Sequence, residues 1–336
     1  MPNDADATPT PVLLGNGGGS APVGAPVPVP IAAPPGPTHR ASIHTAPTPT
    51  LPPGFVSAIR ELEGVLGMPV WLLVQNEAHE SGRHAWGHIA RQVYDGFLDQ
   101  RHALRTAGRI ALLIDSPGGF AVYAYKLAKL LRNHSGGFTA VVPQYAKSAA
   151  TLLTLGAERI ILPRDGELGP LDAQLWDPDR EEYASALNEV QSLERLNADA
   201  LRAVDSAMEL LSVRTHKKAG ALLPIATNFV TQMLGALFEK LDTVHYSQMA
   251  RSLKVAQDYA ARLLAAQYGE NQAAVIAESL VSDYPEHEFP IDPEEAANVG
   301  LLTIAPSAEE SVILDKLMPY LNKLTVIGRI EEVPAP

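Results

Sequence analysis

The chain contains no cysteine, which removes disulfides, thiolate nucleophiles and cysteine-ligated zinc together. Positive charge is also short: 26 Lys and Arg stand against 38 Asp and Glu, a formal net charge of -12. With no lysine- or arginine-dense stripe, nucleic acid is not expected as a partner, because phosphate binding needs a concentrated basic surface. No apolar run continues unbroken over a membrane-spanning length. No basic segment leads into an apolar one as in a signal peptide, and the phosphate-cradling pattern G-x-x-x-x-G-K-[ST] is missing. The expectation is a soluble, cytoplasmic protein working without nucleotide, cofactor or metal, and 336 residues suffice for one large core or two smaller ones.

What is present divides into three regions. Residues 1–53 hold half of the 28 prolines, with Gly and Ala between them and no apolar period, so they read as a solvated tail. Residues 54–180 alternate short apolar strands with helices, and residues 181–325 turn helical. The alternation predicts an α/β fold whose site lies at the carboxyl ends of its strands. The apolar stretch 221–241 around Pro224 reads as too interrupted to span a bilayer, and therefore as a buried or subunit-contacting helix, with membrane association not expected. Capping boxes at 292–295 and 307–310 predict two further helices near the end.

The chain is organised around 138–156, FTAVVPQYAKSAATLLTLG. An apolar, β-branched run predicts a buried strand, and the small residues that follow open a helix, so Ser148 stands at a strand-to-helix corner. Such a corner holds a hydroxyl out of the sheet beside the free N–H groups of a first helical turn. A serine before a helix is often only an N-cap. Upstream, however, 109–119 (RIALLIDSPGG) ends a second buried strand in Gly118 and Gly119, where a bare backbone exposes N–H groups to a ligand. Together the two units make an acyl-transfer site. Asp172 lies in a Gly- and Pro-rich loop on the same side, and His287 in a loop between helices. His79, Glu80, His84 and His88 invite a metal, but Arg83 stands where H-E-x-x-H needs its second histidine, so they read as a polar helix surface.

IDSPGG at 114–119, AKSAATLLTLGA around Ser148 and GELGPLDAQ at 166–174 resemble the Clp-protease and signal-peptide-peptidase superfamily. With RSLKVAQDYAARLL at 251–264 and YPEHEFPI at 284–291, the chain more closely resembles the serine dehydrogenase proteinase family. The resemblance implies a Clp/crotonase-type spiral of β-β-α units, a serine peptidase acting on peptide or protein substrates, and homo-oligomers formed through the helical region. It implies an oxyanion hole from the N–H groups of Gly118 or Gly119 and of Ala149. Clp-type enzymes place a histidine soon after the serine, and none stands there; the family's order of Ser, Asp, His is met by Ser148, Asp172 and His287. The rival is a Ser/Lys dyad using Lys147, Lys217 or Lys218. A catalytically silent scaffold on the same fold is the other alternative.

Overall fold

The computed structural model describes residues 37–76, 86–172, 174–177, 182–238 and 242–333. Strands β1 (Thr38–Ala41) and β2 (His44–Ala46) lead to helix α1 (Pro53–Leu66), which ends at Gly67 in the left-handed conformation that favours glycine. Strand β3 (Val70–Val74) follows, then α2 (Arg91–Asp99), α3 (Arg101–Ala107), β4 (Ile110–Asp115) and α4 (Ala121–His134). Next come β5 (Phe138–Val141), β6 (Tyr145–Ala146), α5 (Ala149–Thr154), β7 (Arg159–Ile161) and β8 (Glu167–Leu168). A hairpin of β9 (Gln174–Asp177) and β10 (Glu182–Ser185) opens into α6 (Ala186–Thr215), α7 (Ala219–Phe238) and α8 (Thr243–Ser282), the last kinked at Gly269. The chain closes with α9 (Pro293–Asn298), α10 (Ala308–Leu321) and β11 (Thr325–Val333).

The main sheet runs β1-β11-β3-β4-β5-β7, with β3, β4, β5 and β7 parallel, β11 antiparallel between β1 and β3, and β2 also paired to β11. Every residue of β3, β4 and β5 is buried, which requires cover on both faces and explains their uninterrupted apolar sequence. Alternation divides them between two cores. Trp71, Leu73, Ile110, Leu112 and Ile114 join the face packed by α2, α3, α4, α5 and α8. Val70, Leu72, Val74, Ala111 and Leu113 join the face packed by α1 and α10.

A second, smaller sheet gives the spiral. After β4, Ser116 bridges Ala146; after β5, β6 pairs in parallel with β8; and Leu168 at the end of β8 bridges Ile291. Each turn is therefore a long strand, a short strand and then a helix, which is the β-β-α repeat expected from the sequence.

Two readings of the chain are corrected. Ordered structure begins at Thr38 rather than at residue 54, because β1 and β2 find their hydrogen bonds on β11, almost 300 positions away; residues 1–36 of the expected tail lie outside the described residues. The stretch around Pro224 is also continuous: α7 carries Pro224 within a single 20-residue helix, long and apolar enough to cross a membrane. Pro224 falls in its second turn, where its missing N–H removes one early hydrogen bond. The helix is not buried as expected. Leu222, Ala226 and Val230 form a narrow buried stripe, and Leu223, Ile225, Phe229 and Met233 are about half exposed.

The helix starts follow local chemistry. Ser307 and Glu310 exchange side-chain and backbone hydrogen bonds in a complete capping box. At α9 Asp292 accepts from the Glu295 N–H at 2.8 Å, but the Glu295 carboxylate accepts instead from Tyr284 Oη and Asn298 Nδ2. That pairing ties α9 to the loop that carries His287.

Candidate active site

Ser148 is the N-cap of α5, yet its hydroxyl makes no capping hydrogen bond. Its backbone sits at φ +49°, ψ −116°, a region that disfavours any side chain and costs on the order of 1–3 kcal/mol. The corner is held from several sides. Lys147 N–H donates to Ser116 O at 3.0 Å and Leu152 N–H to Ser148 O at 3.1 Å. The buried Thr151 hydroxyl donates to Ala146 O at 2.6 Å and accepts from Gly169 N–H at 3.0 Å. The fold thus imposes a strained backbone on the serine and leaves its hydroxyl unspent.

The glycine loop lies against this corner. At Gly118 φ is +110°, and a Cβ there would stand 2.6 Å from Lys147 O and 3.0 Å from Ser148 Cβ, so any larger residue would push the loop off the serine. A buried chain of polar groups sets the loop from below. Gly118 N–H donates to Ser116 Oγ (3.1 Å), Ser116 Oγ–H to Gln75 Oε1 (2.7 Å), and Gln75 Nε2 to Trp86 O (2.7 Å). Gly118 has therefore spent its donor. Among the described residues, the N–H groups of Gly119 and Ala149 have no acceptor. Beside this chain lies Asp115, fully buried, with Oδ1 accepting from Tyr145 N–H at 3.4 Å and Oδ2 unpartnered. Burial pushes its pKa up to about 7.

Ser148, Gly118, Gly119, Ala149, Asp172 and His287 line one cleft of about 690 Å³. Asp172 is 3 % exposed, with Oδ1 accepting from Leu187 N–H at 3.0 Å and the Ser185 hydroxyl bonded to the same carboxylate. Burial raises its pKa, while those two hydrogen bonds and His287 pull it down. His287 Nδ1 stands 3.9 Å from Asp172 Oδ2, longer than a hydrogen bond, and is otherwise unpartnered. The His287 loop is fastened by the Leu168–Ile291 bridge, by the Tyr284–Phe289 ring contact and by Lys147 Nζ, which donates to Glu288 O at 3.4 Å.

The three lysines of the dyad reading do not line the cleft. Lys147 turns away from it to pair with Glu167 at 2.8 Å. Lys217 and Lys218 are exposed beyond the end of α6. Of the histidines considered for a metal, His79 and His84 lie outside the described residues, and His88 lines the cleft. Two features were not legible in the sequence. Gln75 and Ser116 shape the glycine loop, and only the serine next to Pro117 hinted at it. The α8 stripe Gln248, Arg251, Ser252, Val255 and Ala256 walls the cleft, and its helical spacing was visible without a sign of what it faced.

Residues 100–217 match the family model described as ClpP-like SDH-type serine proteinase, the family the sequence resembles. An uncharacterized protein of Methanocaldococcus jannaschii, MJ0137, is 29% identical over 82% of this chain and 76% of its own length. A second from the same organism, MJ1495, is 24% identical over 57% of this chain and 51% of its own. Two mutants of the 1510-N membrane-bound stomatin-specific protease, one with a substrate peptide, are 14% identical, with TM-scores of 0.42 and 0.41. They cover 74% and 72% of this chain, and 84% and 78% of their own.

Proposed function

We propose that this chain, which carries a ClpP-like serine proteinase segment, is a serine peptidase that cleaves peptide bonds through an acyl-enzyme on Ser148. The observation that carries this reading is the uncapped, backbone-strained Ser148 between two N–H groups with no acceptor, in a cleft shared with His287 and Asp172. Asp172 faces Nδ1 of His287, so Nε2 is the nitrogen left for the serine. Ser148 Oγ attacks the carbonyl carbon while its proton passes to Nε2, and the buried carboxylate stabilises the imidazolium. The oxyanion is held by Gly119 and Ala149; Gly118 serves as the close-packed hinge, since its donor is already bonded to Ser116. Collapse breaks the C–N bond and the amine leaves with the imidazolium proton. Water then repeats the attack, releasing the acid and restoring Ser148.

The 3.9 Å between His287 and Asp172 is a resting distance of the kind that shortens when substrate fills a site. The lysine dyad gains no support, as Lys147 already donates to a carboxylate and two carbonyls. Intact-mass analysis after fluorophosphonate treatment tests the reading. One adduct on the wild type, none on Ser148→Ala and a rate reduced at least about a hundredfold on His287→Ala are expected. An unlabelled wild type would make Ser148 a structural corner and the protein a scaffold.

A further inference from the structure

We infer that Arg251 selects substrates carrying a carboxylate about two residues from an apolar side chain; this rests on the peptidase reading. The cleft is unevenly lined. Leu152, one helical turn after Ser148, together with Leu171, Val255 and Ala256, makes an apolar wall. Arg251, on the same stripe of α8 one turn before Val255, adds a guanidinium. In a chain of net charge -12, the one acidic residue lining this cleft is Asp172, and its carboxylate is buried and bonded to Leu187, Ser185 and His287's side of the cleft. Arg251 is exposed and has no hydrogen bond or ion pair among the described residues, whereas Lys254 on the same helix is paired with Asp258 at 3.2 Å. A fixed cation facing an apolar trough, with no anion of its own, is completed by an anion on the ligand.

The spacing gives the rule its length. Four residues of helix separate Arg251 from Val255, about 6 Å along the axis. An extended peptide covers that in about two residues at roughly 3.3 Å each. A side chain seated on Leu152, Leu171 and Val255 therefore places the residue two positions along within reach of the guanidinium. Its carboxylate is supplied either by an Asp or Glu side chain or by the peptide's own carboxyl terminus.

Binding of fluorescent peptides to the Ser148→Ala protein tests this without requiring turnover. Matched peptides carry a central Leu with Glu or Gln two positions to either side, each with a free or an amidated terminus. Binding about five- to tenfold tighter for Glu than Gln assigns a side-chain carboxylate, and the same gain for free over amidated termini assigns the chain end. In either case Arg251→Glu is expected to invert the order in favour of a Lys peptide, a gain that a misfolded variant cannot produce. Equal binding of all matched peptides, or a carboxylate preference that survives Arg251→Glu, overturns the inference. Wild-type Ser148 labelling, measured alongside, separates that failure from failure of the peptidase reading.

Discussion

The sheet and the α6–α7 pair use apolar residues to opposite ends. In β3 and β4 every side chain is buried, and the two faces feed two cores. In α7, whose 18-residue window has a mean hydropathy of 1.5, only 17% of that window is buried. Hydrophobicity alone therefore did not determine burial; neighbours did. The strands are enclosed because parallel pairing brings crossover helices onto both faces, while α7 has α6 along one side and little else. The cleft belongs to the enclosed region. Its strained serine and spent Gly118 donor persist because packing beneath them leaves no alternative.

The comparison predicts its own largest effect at Trp71, fully buried against Phe97 with ring centroids 5.8 Å apart. Trp71→Ala should lower stability by about 3–5 kcal/mol, read as a shift in the urea midpoint. A loss near the size of a surface substitution would mean that the sheet face is less enclosed than it is drawn.

Asp115 comes next, because the enclosure of the core acts on it as charge. Its folded pKa of about 7 lies above its ordinary value of 3.8, so between about pH 4 and 7 the folded chain binds more protons than the unfolded one. Stability from this group is then present at low pH and lost as pH rises through that window, by on the order of 3 kcal/mol if none of the burial relaxes. Urea titrations at several pH values should show that fall in the wild type, superimposed on the other titrating groups, and a flatter profile for Asp115→Asn. An unchanged profile would place water or a partner on Oδ2.

Gly118→Ala carries the argument into the site. The positive φ and the 2.6 Å approach to Lys147 O should cost about 1–3 kcal/mol. If the peptidase reading holds, fluorophosphonate labelling should slow as well, since the displaced loop carries the Gly119 donor away. Normal labelling in a destabilised variant would confine Gly118 to a structural role.

How much of this was legible follows the same division. Strands β3, β4 and β5 and helices α1 and α4 could be read from runs such as VWLLV and IALLID, because a fully buried strand has to be apolar throughout. Ser148 and the paired glycines were legible as a corner and a bare loop. The short strands β1 and β2 were not, since THRA and HTA have no strand signature until β11 supplies their hydrogen bonds from the far end of the chain. The assignment of Gly119 over Gly118 was likewise hidden, because it depends on Gln75 and Ser116 meeting across two strands. Composition around Pro224 suggested an interruption and a buried helix, while the exposure of α7 depends on tertiary neighbours that no local pattern records.

The smallest effect sharpens the comparison from the other side. Phe229 is as apolar as any core residue yet 57% exposed on α7, so Phe229→Ala should change the stability of the isolated chain by less than about 0.5 kcal/mol. The measurement is the urea midpoint at several protein concentrations. A flat, near-zero difference means that this face is bare in solution, and the stability of the molecule resides in its sheet. A loss that appears only as concentration rises means that a second copy covers the helix, since mass action stabilises whatever binds the folded state. In that case the exposed face of α7 would be an interface, and its apolar residues would obey the same rule as those of β3 with their cover drawn from another chain.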